Sequence, residues 1–102
     1  MNPELGLELF ILLGMSKTGY VYIVASMTRG FPYVGITSDL IKRVWQHRTK
    51  RLVRYGIFGD ITDAIVREKE LKKWRRQWKI ELIEAANPDW DDLYFQITSS
   101  AV

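Results

Sequence analysis

The 102-residue chain contains no cysteine, only three prolines and a single histidine. Without cysteine neither a disulfide scaffold nor a thiolate metal site can form, so the fold must be held by packing. No apolar run is long enough to span a bilayer. The strongest, LELFILLG near the start, is too short, and Glu4 and Glu8 stand where a secretory signal would be basic. These absences predict a cytoplasmic protein with no membrane partner. The sequence also lacks internal repeats and low-complexity segments, and its length suits one domain with one core.

What is present is aromatic and unevenly charged. Four Trp, five Tyr and four Phe supply large surfaces to bury, and the net charge is +3. Of the 15 Lys and Arg, 13 fall between residues 42 and 79 against four acids (Asp60, Asp63, Glu68, Glu70), a local balance of +9. Solvated helix faces explain such a cluster. So does a polyanion partner, because clustered cations gain affinity by releasing counterions from phosphates.

Residues 19–37, GYVYIVASMTRGFPYVGIT, read as two strands joined by a turn closed at Gly30. Tyr20, Tyr22 and Val24 share one face of the first strand, and Phe31, Tyr33 and Gly35 one face of the second. Tyr22 and Tyr33 meet across the hairpin if the register allows, beside the space that Gly35 leaves open. TSDLIKRVWQHRTK follows as a helix capped by Thr37 or Ser38, with Asp39 in its first turn and Leu40, Ile41, Val44 and Trp45 as its apolar face. Arg43 and His47 lie four apart on the border of that face. RLVRYGIF reads as a third strand, and residues 60–86 as one helix or two in succession. NPDWDDLY marks a C-terminal turn with Asn87 and Pro88 as the breaker.

The long helical stretch carries an anomaly. Ile61, Ala64, Ile65, Leu71, Trp74 and Trp78 form one stripe at helical spacing, and Glu68 falls inside it while Glu70 points away. A buried carboxylate needs compensation, either a salt bridge to Arg43 or Arg67 or a metal ion. Trp74 and Trp78 are read as core anchors.

These residues resemble the GIY-YIG nuclease domain. GYVYI stands for the first motif, with Tyr22 as its tyrosine, and YVG (Tyr33 to Gly35) for the second, eleven residues on. Arg43 matches the helix arginine, His47 a position held by His or Tyr, and Glu68 in REKELKKW the metal-binding glutamate. The small stand-alone bacterial members are most similar, and they resemble in turn the N-terminal nuclease domain of the bacterial nucleotide-excision-repair endonuclease.

The resemblance implies an α/β (α+β) fold, a three-stranded antiparallel sheet flanked by helices in the order β-β-α-β-α-α. It covers residues 19–94, leaving 1–18 as an N-terminal extension and 95–102 as a C-terminal tail. It also implies an endonuclease hydrolysing DNA phosphodiesters with one divalent ion, Mg²⁺ with Mn²⁺ as substitute, held by Glu68. Arg43 would grip the scissile phosphate. Tyr22 would be the base, helped by the metal, Arg43 or a neighbour, with Tyr33 orienting water or phosphate and His47 acting in catalysis or phosphate contact. Lys42, Arg48, Lys72, Lys73, Arg75 and Arg76 would contact nucleic acid. DNA repair is the implied setting, with a homodimer or protein partner open.

Two rival readings remain, a binding module without efficient cleavage and a nuclease that needs a protein partner for specificity. Three features depart from the family pattern: the short link between Lys50 and Arg51, the replacement of a helix Asn around Lys79, and the first 14 residues.

Overall fold

The computed structural model describes residues 17–99, so most of the expected extension (1–18) and the last three residues lie outside the described residues. Strands β1 (Gly19–Ala25), β2 (Tyr33–Thr37) and β3 (Arg51–Phe58) form one antiparallel sheet in the order β2-β1-β3. Helices α1 (Leu40–Gln46), α2 (Ile61–Lys73), α3 (Arg76–Ala86) and α4 (Tyr94–Ser99) cover it. The expected order is found, with α4 added. That short helix occupies part of the segment expected as a tail, and its Ile97 is buried against the sheet.

The central strand β1 is buried on both faces, which is why its sequence is a nearly continuous β-branched and aromatic run. Val21, Ile23 and Ala25 join Val34, Ile36 and Val53 beneath α2 and α3, where Ile61, Ala64, Leu71, Ile80 and Ile83 complete one core. Tyr22 and Val24 point the other way and pack with Leu52, with Leu40 and Val44 of α1 and with Ile97 of α4. A bulge opposite Ile23 and Val24 lets Arg54 pair with Ile23 and Leu52 with Val24, so Val53 is the extra residue. At the start of β1, Gly19 permits contact with α2, since a Cβ there would lie 2.8 Å from Ile61 Cγ1.

Several expectations are corrected. The second strand starts at Tyr33, and Phe31 stands in the turn, 82% exposed, beneath the Arg76 guanidinium at 4.8 Å. The first helix is capped by Asp39, which accepts from the Lys42 N–H at 3.1 Å, while Thr37 Oγ1 accepts from the Asp39 N–H. Of its four apolar residues only Leu40 and Val44 are buried; Ile41 and Trp45 face outward. Of the two arrangements expected for the long stretch, two helices in succession is the one found, because Trp74 and Arg75 adopt extended backbone between them. No Gly or Pro lies in this break, so packing sets it. Trp74 stays against the core, but Trp78 on the new helix is 45% exposed and meets Trp74 edge to face at 6.1 Å. It is not a core anchor.

The polar C-terminal turn is structural. Trp90, at a left-handed φ of 57°, is fully buried, and its indole donates to Glu84 Oε2 at 2.8 Å. Glu84 is also held by Arg29, itself at φ 58° in the β1–β2 turn, through two 3.2 Å bonds. Buried Asn87 donates to the carbonyls of Val53 and Asp91 at 3.0 and 2.9 Å, and Asp92 and Leu93 bond the backbone of Leu52 on the β3 edge. Among the described residues, no helix is long and apolar enough to cross a membrane.

Asn87→Ala strands the Val53 carbonyl in the core and releases the turn from it. The expected cost is about 1–3 kcal/mol, the range for a buried polar group left without its partner, measured by urea denaturation.

Candidate active site

Tyr22 and Gly35 are direct partners across the β1–β2 ladder, and Tyr33 pairs with Val24, two positions along. The tyrosines are therefore diagonal neighbours. The Tyr22 ring lies over Gly35, where an added Cβ would come within 2.3 Å of its Cζ and Oη. Glycine does not leave a vacant face here, because the space it provides is filled by the Tyr22 ring. Tyr22 is 1% exposed while Tyr33 is 48% exposed, so one phenol forms the floor and the other the rim.

Helix α1 brings the next two groups. Arg43, half-buried, brings its guanidinium charge to bear on the Tyr22 hydroxyl. His47, the C-cap residue, sits between the tyrosines, its ring 6.0 Å from that of Tyr22 and 5.8 Å from that of Tyr33. The short link that follows is a tight turn in which the Lys50 N–H donates to the His47 carbonyl at 2.8 Å. It sets the Lys50 ammonium 5.5 Å from the Tyr33 ring centre. Sequence reasoning did not select Lys50. Its position three residues after His47, in a link too short to lead it away, was the available signal.

Helix α2 supplies the carboxylate. Glu68 is buried, as its place on the apolar stripe predicts, and Glu70 is exposed. Its cation is neither Arg43 nor Arg67: Lys72, one turn on, places Nζ 2.8 Å from Glu68 Oε2, while Arg67 pairs with Glu70 at 3.2 Å. The Lys72 charge also reaches the Tyr22 hydroxyl, which ties the α2 pair to the tyrosine cluster.

These placements set proton affinities. Burial pushes the Tyr22 hydroxyl above its usual 10.0, and the Arg43 guanidinium offsets this only in part. Tyr22 is therefore a neutral phenol at physiological pH. His47 moves the opposite way, lowered from 6.5 first by burial and then by the charges of Lys50 and Arg43, so its imidazole is neutral near pH 7.

The family model described as the GIY-YIG catalytic domain matches residues 18–81, well over half the chain and every residue of this cluster. The chain belongs to the GIY-YIG family. Its domain is of nuclease type, and nucleic acid is the substrate class. Neither a curated protein nor a solved structure matches the chain.

The remaining expected contacts are dispersed. Lys42 and Arg48 are exposed on and just after α1, with Arg48 stacked 5.1 Å from the Trp45 ring centre. Lys73 and Arg75 are exposed at the α2–α3 junction, Arg75 over Trp78 at 4.9 Å. Arg76 donates to the Arg29 carbonyl and covers Phe31, which makes it a clamp on the hairpin turn. Lys72 is exposed on α2 and engages Glu68.

No group of three or more His, Cys, Asp or Glu side chains suited to a metal occurs among the described residues. A single buried carboxylate fits an ion that keeps most of its shell for water and phosphate oxygens, as Mg²⁺ does.

Gly35→Ala tests the floor of the site. The added methyl must displace the Tyr22 ring, so cleavage is expected to fall at least a hundredfold in protein that still shows a cooperative thermal transition. Nicking rate and melting temperature, measured together, check it.

Proposed function

We propose that this GIY-YIG domain is an endonuclease that hydrolyses DNA phosphodiesters with one divalent ion, Mg²⁺ or Mn²⁺. The observation that carries the reading is the convergence of Tyr22, Tyr33, Arg43 and His47 on a cluster that the Lys72–Glu68 pair joins through charge, drawn from four separate elements. The motif resemblance to the excision-repair endonuclease favours DNA over RNA.

Arg43, always protonated, holds the scissile phosphate and balances the charge that grows on its oxygens. His47 takes the role of base from Tyr22, since a neutral imidazole accepts a proton from the attacking water and a buried phenol of raised pKa does not release one. Tyr22 then acts as a hydrogen-bonding phenol beside Arg43, and the exposed Tyr33 orients water or phosphate at the rim. Glu68 would hold the divalent ion, which when bound supplies Lewis-acid charge for the leaving 3′ oxygen. Burial, with the charges of Lys50 and Arg43, keeps His47 unprotonated, and Lys50 adds positive charge where the backbone enters.

The deciding experiment follows nicking of supercoiled plasmid with Mg²⁺ and with chelator. Glu68→Gln should abolish nicking while nucleic-acid binding persists, whereas Glu70→Gln, on an exposed salt bridge, should nick at the wild-type rate. Metal-dependent nicking of normal rate by folded Glu68→Gln protein would remove Glu68 from the metal site. Loss of thermal stability with no metal-dependent nicking in the wild type would reduce Glu68 to a structural role.

The base assignment has its own signature. His47 must be neutral to act, so activity is full above its folded pKa and is lost as pH falls through it. Because that pKa is depressed, the acid limb of the rate profile should have its midpoint below 6.5. His47→Ala should slow cleavage and remove that limb. A profile unchanged in shape would return the base role to another group.

A further inference from the structure

Glu68 and Lys72 form a close ion pair in which the Glu68 side chain is enclosed and the Lys72 side chain is partly exposed. The Glu68 side chain is 3% exposed and that of Lys72 39%, with Nζ 2.8 Å from Oε2. An anion this buried is costly unless a cation stays with it, and here the compensating cation comes from the next turn of the same helix. Resting on the nuclease reading above, in which Glu68 is the metal ligand, this geometry gives Lys72 a role distinct from that of a backbone-tracking lysine.

We infer that Lys72 is a built-in counter-ion that competes with the divalent ion for Glu68, and that nucleic acid relieves the competition by offering the ammonium a phosphate. A divalent ion approaching Oε2 meets a positive charge at hydrogen-bonding distance, so its binding to the free protein includes the cost of displacing Lys72. The partly exposed Lys72 side chain gives the ammonium a route outward. The reach of its charge to the Tyr22 hydroxyl places it on the side where Arg43 receives phosphate. Once a phosphate takes up the ammonium, Glu68 is open to the ion. Metal and nucleic acid therefore promote each other's binding, and the coupling is reciprocal.

The test measures Mn²⁺ binding to the full chain by electron paramagnetic resonance, at fixed pH and ionic strength, without nucleic acid. Lys72→Met should bind Mn²⁺ roughly tenfold more tightly than wild type, within the usual range of coupling between sites. Lys72→Arg, whose fork grips a carboxylate more firmly, should bind it several-fold more weakly. The arginine variant keeps the charge balance of the helix, so it reports even if the methionine variant does not fold.

In a His47→Ala background, where cleavage is slowed, Mn²⁺ should strengthen binding of a DNA oligonucleotide more in the presence of Lys72 than in Lys72→Met. Equal Mn²⁺ affinities across wild type and both Lys72 variants would overturn the inference while leaving the nuclease reading intact. Glu68→Gln binding Mn²⁺ like wild type would instead overturn the metal-ligand reading, and this inference with it.

Discussion

The contact between the Tyr22 ring and Gly35 constrains everything around the site. A side chain as large as tyrosine can lie across the neighbouring strand only where that strand has no Cβ, and the two residues are register partners. A one-residue slip of β2 would put Val34 or Ile36 beneath the ring and turn every buried residue of the strand to the wrong face. The functional contact and the core pattern therefore specify the same register. Tyr33 then falls two positions along, near enough for His47 to sit between the two rings.

Much of this was legible in the sequence because the chain follows simple periods there. The span of β3, the hairpin closure at Gly30, the place of Glu68 on the buried stripe and the outward turn of Glu70 all follow from alternation or helical spacing. What was not legible depends on long-range packing. The break at Trp74 and Arg75 has no local cause, so extending one helix through it placed Trp78 in the core, where it does not lie. Trp90 sits in a stretch of Asn, Asp and Pro that reads as surface turn. Its burial depends on Glu84 and on Asn87 reaching across to β3, contacts that no local pattern announces.

The motif resemblance selected residues by position, and the structure adds what surrounds each one. Tyr22 and Tyr33 look equivalent in sequence, but one is enclosed and the other open, which separates their chemistry. The short link after α1 brings Lys50 against both Tyr33 and His47. A longer link would not require that proximity, so its shortness adds to burial in keeping the imidazole neutral.

The cluster combines three cations, Arg43, Lys50 and Lys72, with one buried carboxylate and two phenols. Such an arrangement does little for folding, because a buried ion pair gains about as much from attraction as it loses in desolvation. An apolar residue at position 68 would continue the stripe of Ile61, Ala64 and Leu71 and pack at lower cost. The cations would then repel one another with no anion among them. Their collective preference is for an incoming polyanion, and Glu68 limits that repulsion while the site is empty. The carboxylate thus serves the site in two states, holding a lysine before substrate arrives and, on the proposed reading, a divalent ion after.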